Sequence, residues 1–229
     1  MTVTAERQET AAPTPAGGRR LRTALLAVIG VGLLLLGGGL GFALGSERPP
    51  ASDSVDAGFA RDMSAHHLQA VEMASLARDG SDDPEIRGLA FDIEGTQLNQ
   101  VGRMQGWLAL WGLPVTGGER MAWMGDGGHA GHDMGAMGMT PGGLMPGMAT
   151  DEELAQLRTL SGEEFDVLFL QLMMRHHQGG YDMAVHAVEN AEEPAVRTLA
   201  RTVVDSQSAE VALMTDMLAE RGAEPLPEP

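Results

Sequence analysis

"MSAHHLQAVEMA" at positions 63–74 and "MMRHHQGGYDMA" at positions 173–184 place two adjacent histidines between methionines at the same offsets. The two stretches are 110 residues apart, and other residues recur at this separation on both sides of the histidines. Around the histidines, the recurring residues are Phe59, Met63, His66, His67, Met73 and Ala74, which return as Phe169, Met173, His176, His177, Met183 and Ala184. Downstream they are Pro84, Arg87, Leu89, Ala90, Gln97, Val101, Met104 and Leu108, which return as Pro194, Arg197, Leu199, Ala200, Gln207, Val211, Met214 and Leu218. The chain therefore contains an internal duplication.

Each copy has the pattern of two amphipathic helices. Apolar residues recur three or four positions apart, which is the period of an α-helix with one buried face. Asp83, followed by a proline, predicts the start of the second helix of the first copy. The pairs Ser161 with Glu164 and Thr150 with Glu153 each predict a capping box. Since neither hairpin can bury its apolar face alone, we predict an all-α fold in which the two hairpins form a four-helix bundle.

A long apolar segment precedes the duplicated region. Residues 24–45 are 22 uncharged, mostly apolar residues, which is long enough to cross a bilayer as a helix. Because Arg19, Arg20 and Arg22 precede it, the positive-inside tendency predicts a single-pass protein of the cell membrane with a cytoplasmic N-terminus and an extracytoplasmic domain. A cleaved signal peptide is the alternative, and it would also place the domain outside the cytoplasm.

Composition shifts divide the chain into seven predicted segments. They are a disordered cytoplasmic tail at 1–23, the transmembrane helix at 24–45, a linker at 46–54, the first hairpin at 55–113, an insert rich in Gly, Met and His at 114–150, the second hairpin at 151–222 and a tail at 223–229.

The charge and cysteine content exclude several classes of function. Acidic residues outnumber basic ones 32 to 15, for a net charge of −17, so the chain is a poor partner for nucleic acid. The chain has no cysteine and therefore neither disulfides nor thiolate metal sites. Its 16 methionines are the soft sulfur ligands that remain.

The histidines and methionines of each copy fall on one face of their helix. At 100° per residue, this face is about 120° wide, whereas Glu72 and Asp182 lie on the opposite side and should face water. A buried histidine or methionine is more often a packing residue, but the repetition of both at identical positions favours metal binding. The predicted helical ligands are Met63, His66, His67, Met73, Met173, His176, His177 and Met183.

Polar residues also occur on the inner face of the second helix of each hairpin. Gln97 and Gln100 lie there among apolar residues, and their counterparts are Gln207 and Glu210. A carboxamide or carboxylate that accepts a hydrogen bond from a ligating histidine fixes its tautomer. We predict this orienting role for Gln97, Gln207 and Glu210.

The insert carries a second group of soft ligands without helical periodicity. A loop this long in a compact domain is usually functional or disordered. We predict metal capture by its clustered side chains, of which His129, His132, Met134 and Met137 are the leading candidates and Met139, Met145 and Met148 the next. A linker that happens to be rich in methionine is the alternative.

Ligand type indicates which metal these residues would bind. Thioethers favour Cu(I), and imidazole accepts Cu(I) or Cu(II), whereas zinc would explain the histidines but not the methionines. A di-iron site would require inward Glu-x-x-His pairs, and the sequence has none facing inward.

The paired His-His motifs, the lead-in "MPGMATDEELAQL" and the run "GEEFDVLFLQLMMRHHQGGYDMA" resemble the bacterial family called domain of unknown function 305. The resemblance covers about 55–222. It implies a ferritin-like four-helix bundle, and through the family's CopM-type members it implies periplasmic or secreted copper binding. Carried over to this chain, it points to the same eight His and Met residues of the two helices.

We therefore expect a membrane-anchored copper-binding protein that sequesters or hands on copper, not an enzyme. One alternative is a structural or interaction domain in which the His-His pairs form a polar core network. Another is a redox enzyme that uses the bound metal. The sequence leaves open whether the chain forms a homo-oligomer and which protein would receive the copper.

Overall fold

The protein is described here by a computed structural model that covers residues 17–45, 48–125 and 143–227. It divides into two compact units, Met1–Pro49 and Pro50–Pro229. In the first unit, helix α1 spans Gly17–Gly45 and includes the apolar segment. Across these described ranges, no helix is long and apolar enough to span a membrane, so the predicted transmembrane helix of 24–45 is not confirmed.

The second unit consists of helices joined by short turns and the insert. No strand occurs in the residues that the structure covers, which confirms the all-α prediction. The helices are α2 (Val55–Gly80), α3 (Pro84–Leu110), α4 (Asp151–Leu157), α5 (Gly162–Asn190) and α6 (Pro194–Glu220), with a 3₁₀ turn at Ala122–Met124. The ferritin-like relationship stays a prediction.

The helix starts follow the sequence signals with one exception. Asp83 caps α3 by accepting a hydrogen bond from Glu85 N–H. Thr150 and Glu153 form the predicted capping box of α4. The capping box predicted at the start of α5 is wrong, because Ser161 occupies the cap position without a side-chain hydrogen bond.

The four long helices form a bundle in which α2 packs against α3 and α5, and α5 packs against α6. Their apolar faces form two separate core clusters. The α4 cluster contains Met73, Met173 and Leu154, whereas the insert cluster contains Met63, Trp123 and other residues near the ends of the insert. Along α2 and α5, the His-His pairs lie between the residues of the two clusters.

The ends of the insert pack onto the helical domain. Asp62, which is 7% exposed, accepts hydrogen bonds of 2.8 Å from Met121 N–H and from Trp123 Nε1–H. Trp123 lies against the bare backbone of Gly58, where an added Cβ would be 2.2 Å from the indole ring. These contacts attach the start of the insert to α2.

Candidate metal centre

Four imidazole rings are enclosed in the middle of the bundle. His66, His67 and His176 are fully buried, and His177 is 1% exposed. The rings of His66 and His176, contributed by the two copies, have centroids 3.8 Å apart and planes tilted by 37°. The duplication therefore brings the two His-His pairs together at the interface of α2 and α5.

Two of the rings bond to backbone carbonyls. His66 Nε2 lies 3.0 Å from the carbonyl oxygen of Pro146, and His176 Nε2 lies 3.1 Å from the carbonyl oxygen of His66. A carbonyl only accepts hydrogen bonds, so both rings carry their proton on Nε2.

The other two rings bond to side chains at duplicated positions on α3 and α6. His67 Nε2 lies 2.7 Å from Gln100 Oε1, and His177 Nε2 lies 2.5 Å from Glu210 Oε2. With an oxygen acceptor at Nε2, each of these rings also holds its proton there. All four histidines thus carry a proton on Nε2.

In a neutral ring, a proton on Nε2 leaves a lone pair on Nδ1. All four Nδ1 atoms are buried and have no hydrogen-bond partner among the described residues, and the same holds for both polar atoms of the Gln97 and Gln207 side chains. A Cβ added at Gly180 would lie 3.4 Å from His66 Nδ1 and 3.3 Å from Gln207 Oε1. The bare backbone of Gly180 therefore lets the side chains of His66 and Gln207 lie close against α5.

Burial favours the neutral form of His66, His67 and His176 by lowering the pKa of each. Desolvation lowers the pKa of His66 from 6.5 to about 4 and, with repulsion from a charged His66, lowers the pKa of His67 to about 3. The pKa of His176 is well below 6.5, first because of desolvation and then because of the neighbouring histidines. Neutral imidazole is the form that binds metals.

A short segment at the end of the insert, residues 145–149, supplies the Pro146 carbonyl. It runs close to α5 because Gly179 has no side chain, and a Cβ there would lie 2.1 Å from Pro146 O. On α2, Gln69 binds both backbone groups of Ala149, at 2.9 and 2.7 Å. We call residues 145–149 the strap.

The buried methionines are divided between the two clusters. Met63 and Met183 belong to the insert cluster, and Met73 and Met173 belong to the α4 cluster. Met145 of the insert is 3% exposed and packs in the insert cluster rather than in an open loop. Thioether sulfurs therefore lie on both sides of the imidazole layer.

The imidazoles do not converge on one point. Within the described ranges, no group of three or more His, Asp or Glu side chains is arranged to hold a metal ion. A metal centre would therefore use pairs of imidazoles together with thioether or amide groups.

The remaining sequence predictions have mixed outcomes. His129, His132, Met134, Met137 and Met139 lie outside the described residues. Met148 is half-buried against the insert cluster. Glu72 and Asp182 are exposed, as predicted.

Sequence reasoning assigned the orienting residues only in part. Glu210 bonds His177, but the second orienting side chain is Gln100 rather than Gln97 or Gln207. The duplication could have identified Gln100, since it is the counterpart of Glu210. No sequence signal points to the Pro146 carbonyl, which lies 80 residues from His66.

Comparison with known proteins places this site in a family. The pattern of "Domain of unknown function (DUF305)" matches residues 56–218, which include both His-His pairs. The chain belongs to the DUF305 family. No curated protein matches it.

Solved structures of the family share the fold. A predicted secreted DUF305 protein from Streptomyces coelicolor is 49% identical, with a TM-score of 0.68, over 78% of this chain and 100% of that one. A DUF305 fragment from Deinococcus radiodurans is 30% identical, with a TM-score of 0.59, over 75% and 99% of the two chains. CopM in its Cu(II)-bound form is 30% identical, with a TM-score of 0.55, over 73% and 97%, and CopM has also been solved in Cu(I)-bound and silver-bound forms.

Proposed function

We propose that the helical domain binds copper in the layer of buried histidines and sequesters it or hands it on. The observation that carries this proposal is the set of four buried Nδ1 atoms that have no partner in the described part of the chain. Leaving a buried polar atom unpaired costs roughly 1–3 kcal/mol. A soft metal ion that accepts these lone pairs would offset that cost.

The surroundings of the histidines favour copper over other metals. Buried thioethers flank the imidazole layer, and thioether with imidazole suits Cu(I), whereas imidazole alone also suits Cu(II) and zinc. Each ring is oriented through Nε2 by an oxygen acceptor, as is usual for metal-binding histidines. The copper-bound forms of CopM, a relative that shares the fold, support the same choice.

Two further parts of the proposal rest on the sequence. We propose that the segment 24–45 tethers the domain at the outer face of the cell membrane; the predicted secretion of the Streptomyces coelicolor relative supports the extracytoplasmic location. Resistance of the chain to carbonate extraction from membranes tests the tether.

We also propose that His129, His132, Met134 and Met137 capture copper for the helical site.

A second candidate function is a structural domain in which the histidines form a polar core network. The four Nε2 hydrogen bonds favour it, as does the lack of convergence of the described imidazoles and carboxylates. This candidate predicts no copper binding by the buried histidines, so one binding experiment separates the two.

The test is a chelator competition for Cu(I) with the full chain in mild detergent. The double variant His66→Ala with His176→Ala should lose more than about 100-fold in affinity, since disturbing the orienting partners alone typically costs 10–100-fold. His186→Ala is the matched control, because His186 lies outside the buried layer, near Trp123 and Asn190. Equal copper binding by the double variant and the parent, with helicity unchanged by circular dichroism, would contradict the proposal.

A further inference from the structure

Helix α3 carries an exposed apolar stripe that the bundle does not use. Phe91 is 63% exposed and Leu98 is 45% exposed. At 100° per residue, both fall within a band about 80° wide that also contains the glycines of this helix. Those glycines are Gly88, Gly95, Gly102 and Gly106.

Among the described residues, nothing within a single copy of the domain packs closely on the four glycines. A Cβ added at any of them would meet nothing within 4 Å. Glycine in a helix interior costs roughly 1 kcal/mol relative to alanine, so the helix loses stability at four positions without a packing reason in the bundle. Bare backbone at these positions allows another helix to approach closely.

The duplicated helix α6 provides an internal comparison. It has the same length and most of the same buried positions, and its corresponding outer residues are also exposed. There the stripe is replaced by polar, charged or alanine residues, namely Thr198, Arg201, Asp205, Ser208, Ala212 and Asp216. The apolar stripe is therefore a property of α3 and not of the fold.

We propose that α3 packs antiparallel against α3 of a second copy of this chain. The stripe is complementary to itself in this orientation, because its large residues and its glycines alternate at seven-residue spacing. When Leu98 of one copy lies against Gly95 of the second copy, Phe91 lies against Gly102. The two-fold symmetry of the pair repeats both contacts with the copies exchanged, so four large side chains each fill the gap left by a glycine.

The charges beside the stripe agree with this pairing. Although the chain carries −17 overall, the exposed charged residues of α3 are two acids and two bases: Glu85, Asp92, Arg87 and Arg103. In the same register, Arg103 of one copy lies opposite residue 90 of the second copy. Asp92 of the second copy is two residues further along its helix, or about 3 Å along the axis. Arg103 is held over the Trp107 ring, at 5.6 Å, on the flank that faces Asp92 of the second copy.

The absence of cysteine makes cross-linking a direct test, because an introduced cysteine is the only thiol. In the antiparallel register, the two copies of Asn99 lie about 8 Å apart along the axis, whereas the two copies of Gly106 lie about 30 Å apart. With the full chain in mild detergent and a short bismaleimide, Asn99→Cys should form a covalent dimer and Gly106→Cys should not. The duplicated position provides the matched control Ala209→Cys, which should remain monomeric.

A second variant tests the stripe itself. Replacing Gly95 by Asp and Leu98 by Ser introduces the residues that α6 carries at these positions, so the fold should be retained. Sedimentation velocity should show a dimer for the parent and a monomer for this variant at equal helicity. The proposal is overturned if the variant stays dimeric or if Asn99→Cys cross-links no more than Ala209→Cys. It is also overturned if Gly106→Cys cross-links as readily as Asn99→Cys, because that result would indicate a parallel or different interface.

Discussion

At the scale of single residues, the decisive feature is the state of the buried imidazoles. Each ring donates through Nε2 to an oxygen, and each keeps an unpaired Nδ1. A ring in this state can accept a metal without first losing a proton. The same desolvation that keeps His66, His67 and His176 neutral also makes the fold sensitive to acid.

We predict that the free energy of unfolding decreases as the pH falls from about 6.5 towards 4. In the unfolded chain, His66 titrates near 6.5, but in the folded protein its pKa is about 4, so the unfolded state binds protons first. The stabilisation is complete above 6.5 and is lost below it, by on the order of 2 kcal/mol for His66 at pH 5. Urea unfolding at pH 7.5 and pH 5 measures the difference.

A matched variant assigns the effect to the histidines. The double variant His66→Ala with His176→Ala should be less stable at pH 7.5 but should lose less stability on acidification. Glu153 and Asp83, whose pKa values are also lowered in the folded protein, have ordinary values of 4.5 and 3.8 and therefore act mainly below pH 5. An equal loss of stability in parent and variant would show that other groups carry the pH dependence.

At the scale of elements, the strap joins the insert to the histidine layer. Gln69 and Gly179 occupy duplicated positions, yet they hold the strap differently: Gln69 by two hydrogen bonds and Gly179 by the room its backbone leaves. Arg175 of α5 also binds Glu153 through two hydrogen bonds, at 2.9 and 2.6 Å. The two copies have thus diverged where they contact the insert.

We predict that Gly179→Ala displaces the strap. The new Cβ would lie 2.1 Å from the backbone oxygen of Pro146, and a backbone atom cannot rotate away as a side chain can. His66 Nε2–H would lose its acceptor, at a cost of roughly 1–3 kcal/mol in unfolding free energy. Thermal or urea unfolding followed by circular dichroism measures this loss.

Gly80→Ala is the matched control for this substitution. Its Cβ would make ordinary contact with the Phe165 ring at 3.6 Å, so stability should change little. Hydrogen exchange at residues 145–149 should become faster in Gly179→Ala but not in Gly80→Ala. Unchanged exchange in both would mean that the strap tolerates the methyl group and that its close approach is unimportant.

At the scale of the whole molecule, two kinds of copper ligand are expected to differ in acid. From the sequence alone, imidazole with a pKa of about 6.5 would release copper between pH 7.5 and 5. The lowered pKa values of His66 and His67 move proton competition to a lower pH. The buried site should therefore retain copper well below pH 6.5, for as long as the domain stays folded.

We predict that a chain with serine in place of the His and Met residues of 126–142 keeps one tight copper site with nearly equal affinity at pH 7.5 and 5.5. Removal of the whole stretch 121–148 would be a poor test, because Met121, Trp123 and Met145 are buried in the insert cluster. Chelator competition at both pH values measures the affinity. An unshifted pKa of 6.5 would lower the copper affinity about tenfold for each histidine ligand between pH 7.5 and 5.5. A fall of that size would contradict the prediction.

The sequence by itself determined the duplication, the helices and the side chains that face inward. These features depend on local periodicity, and a period of 3.6 residues fixes which positions share a face. The burial of His66 and His176 and the exposure of Glu72 follow from it directly. The capping box predicted at Ser161 failed: the next residue, Gly162, has a φ of 61°, which is not the helical conformation that a capping box needs after the cap.

Only the tertiary structure decided how the histidines are used. His66 bonds a carbonyl 80 residues away, and His176 bonds the carbonyl of His66 across the interface of the two copies. The antiparallel packing of α2 and α5 also groups Met63 with Met183 and Met73 with Met173, rather than each methionine with its own duplicate. Contacts between distant segments have no period in the sequence, and the lowered pKa values arise from burial by all the helices together.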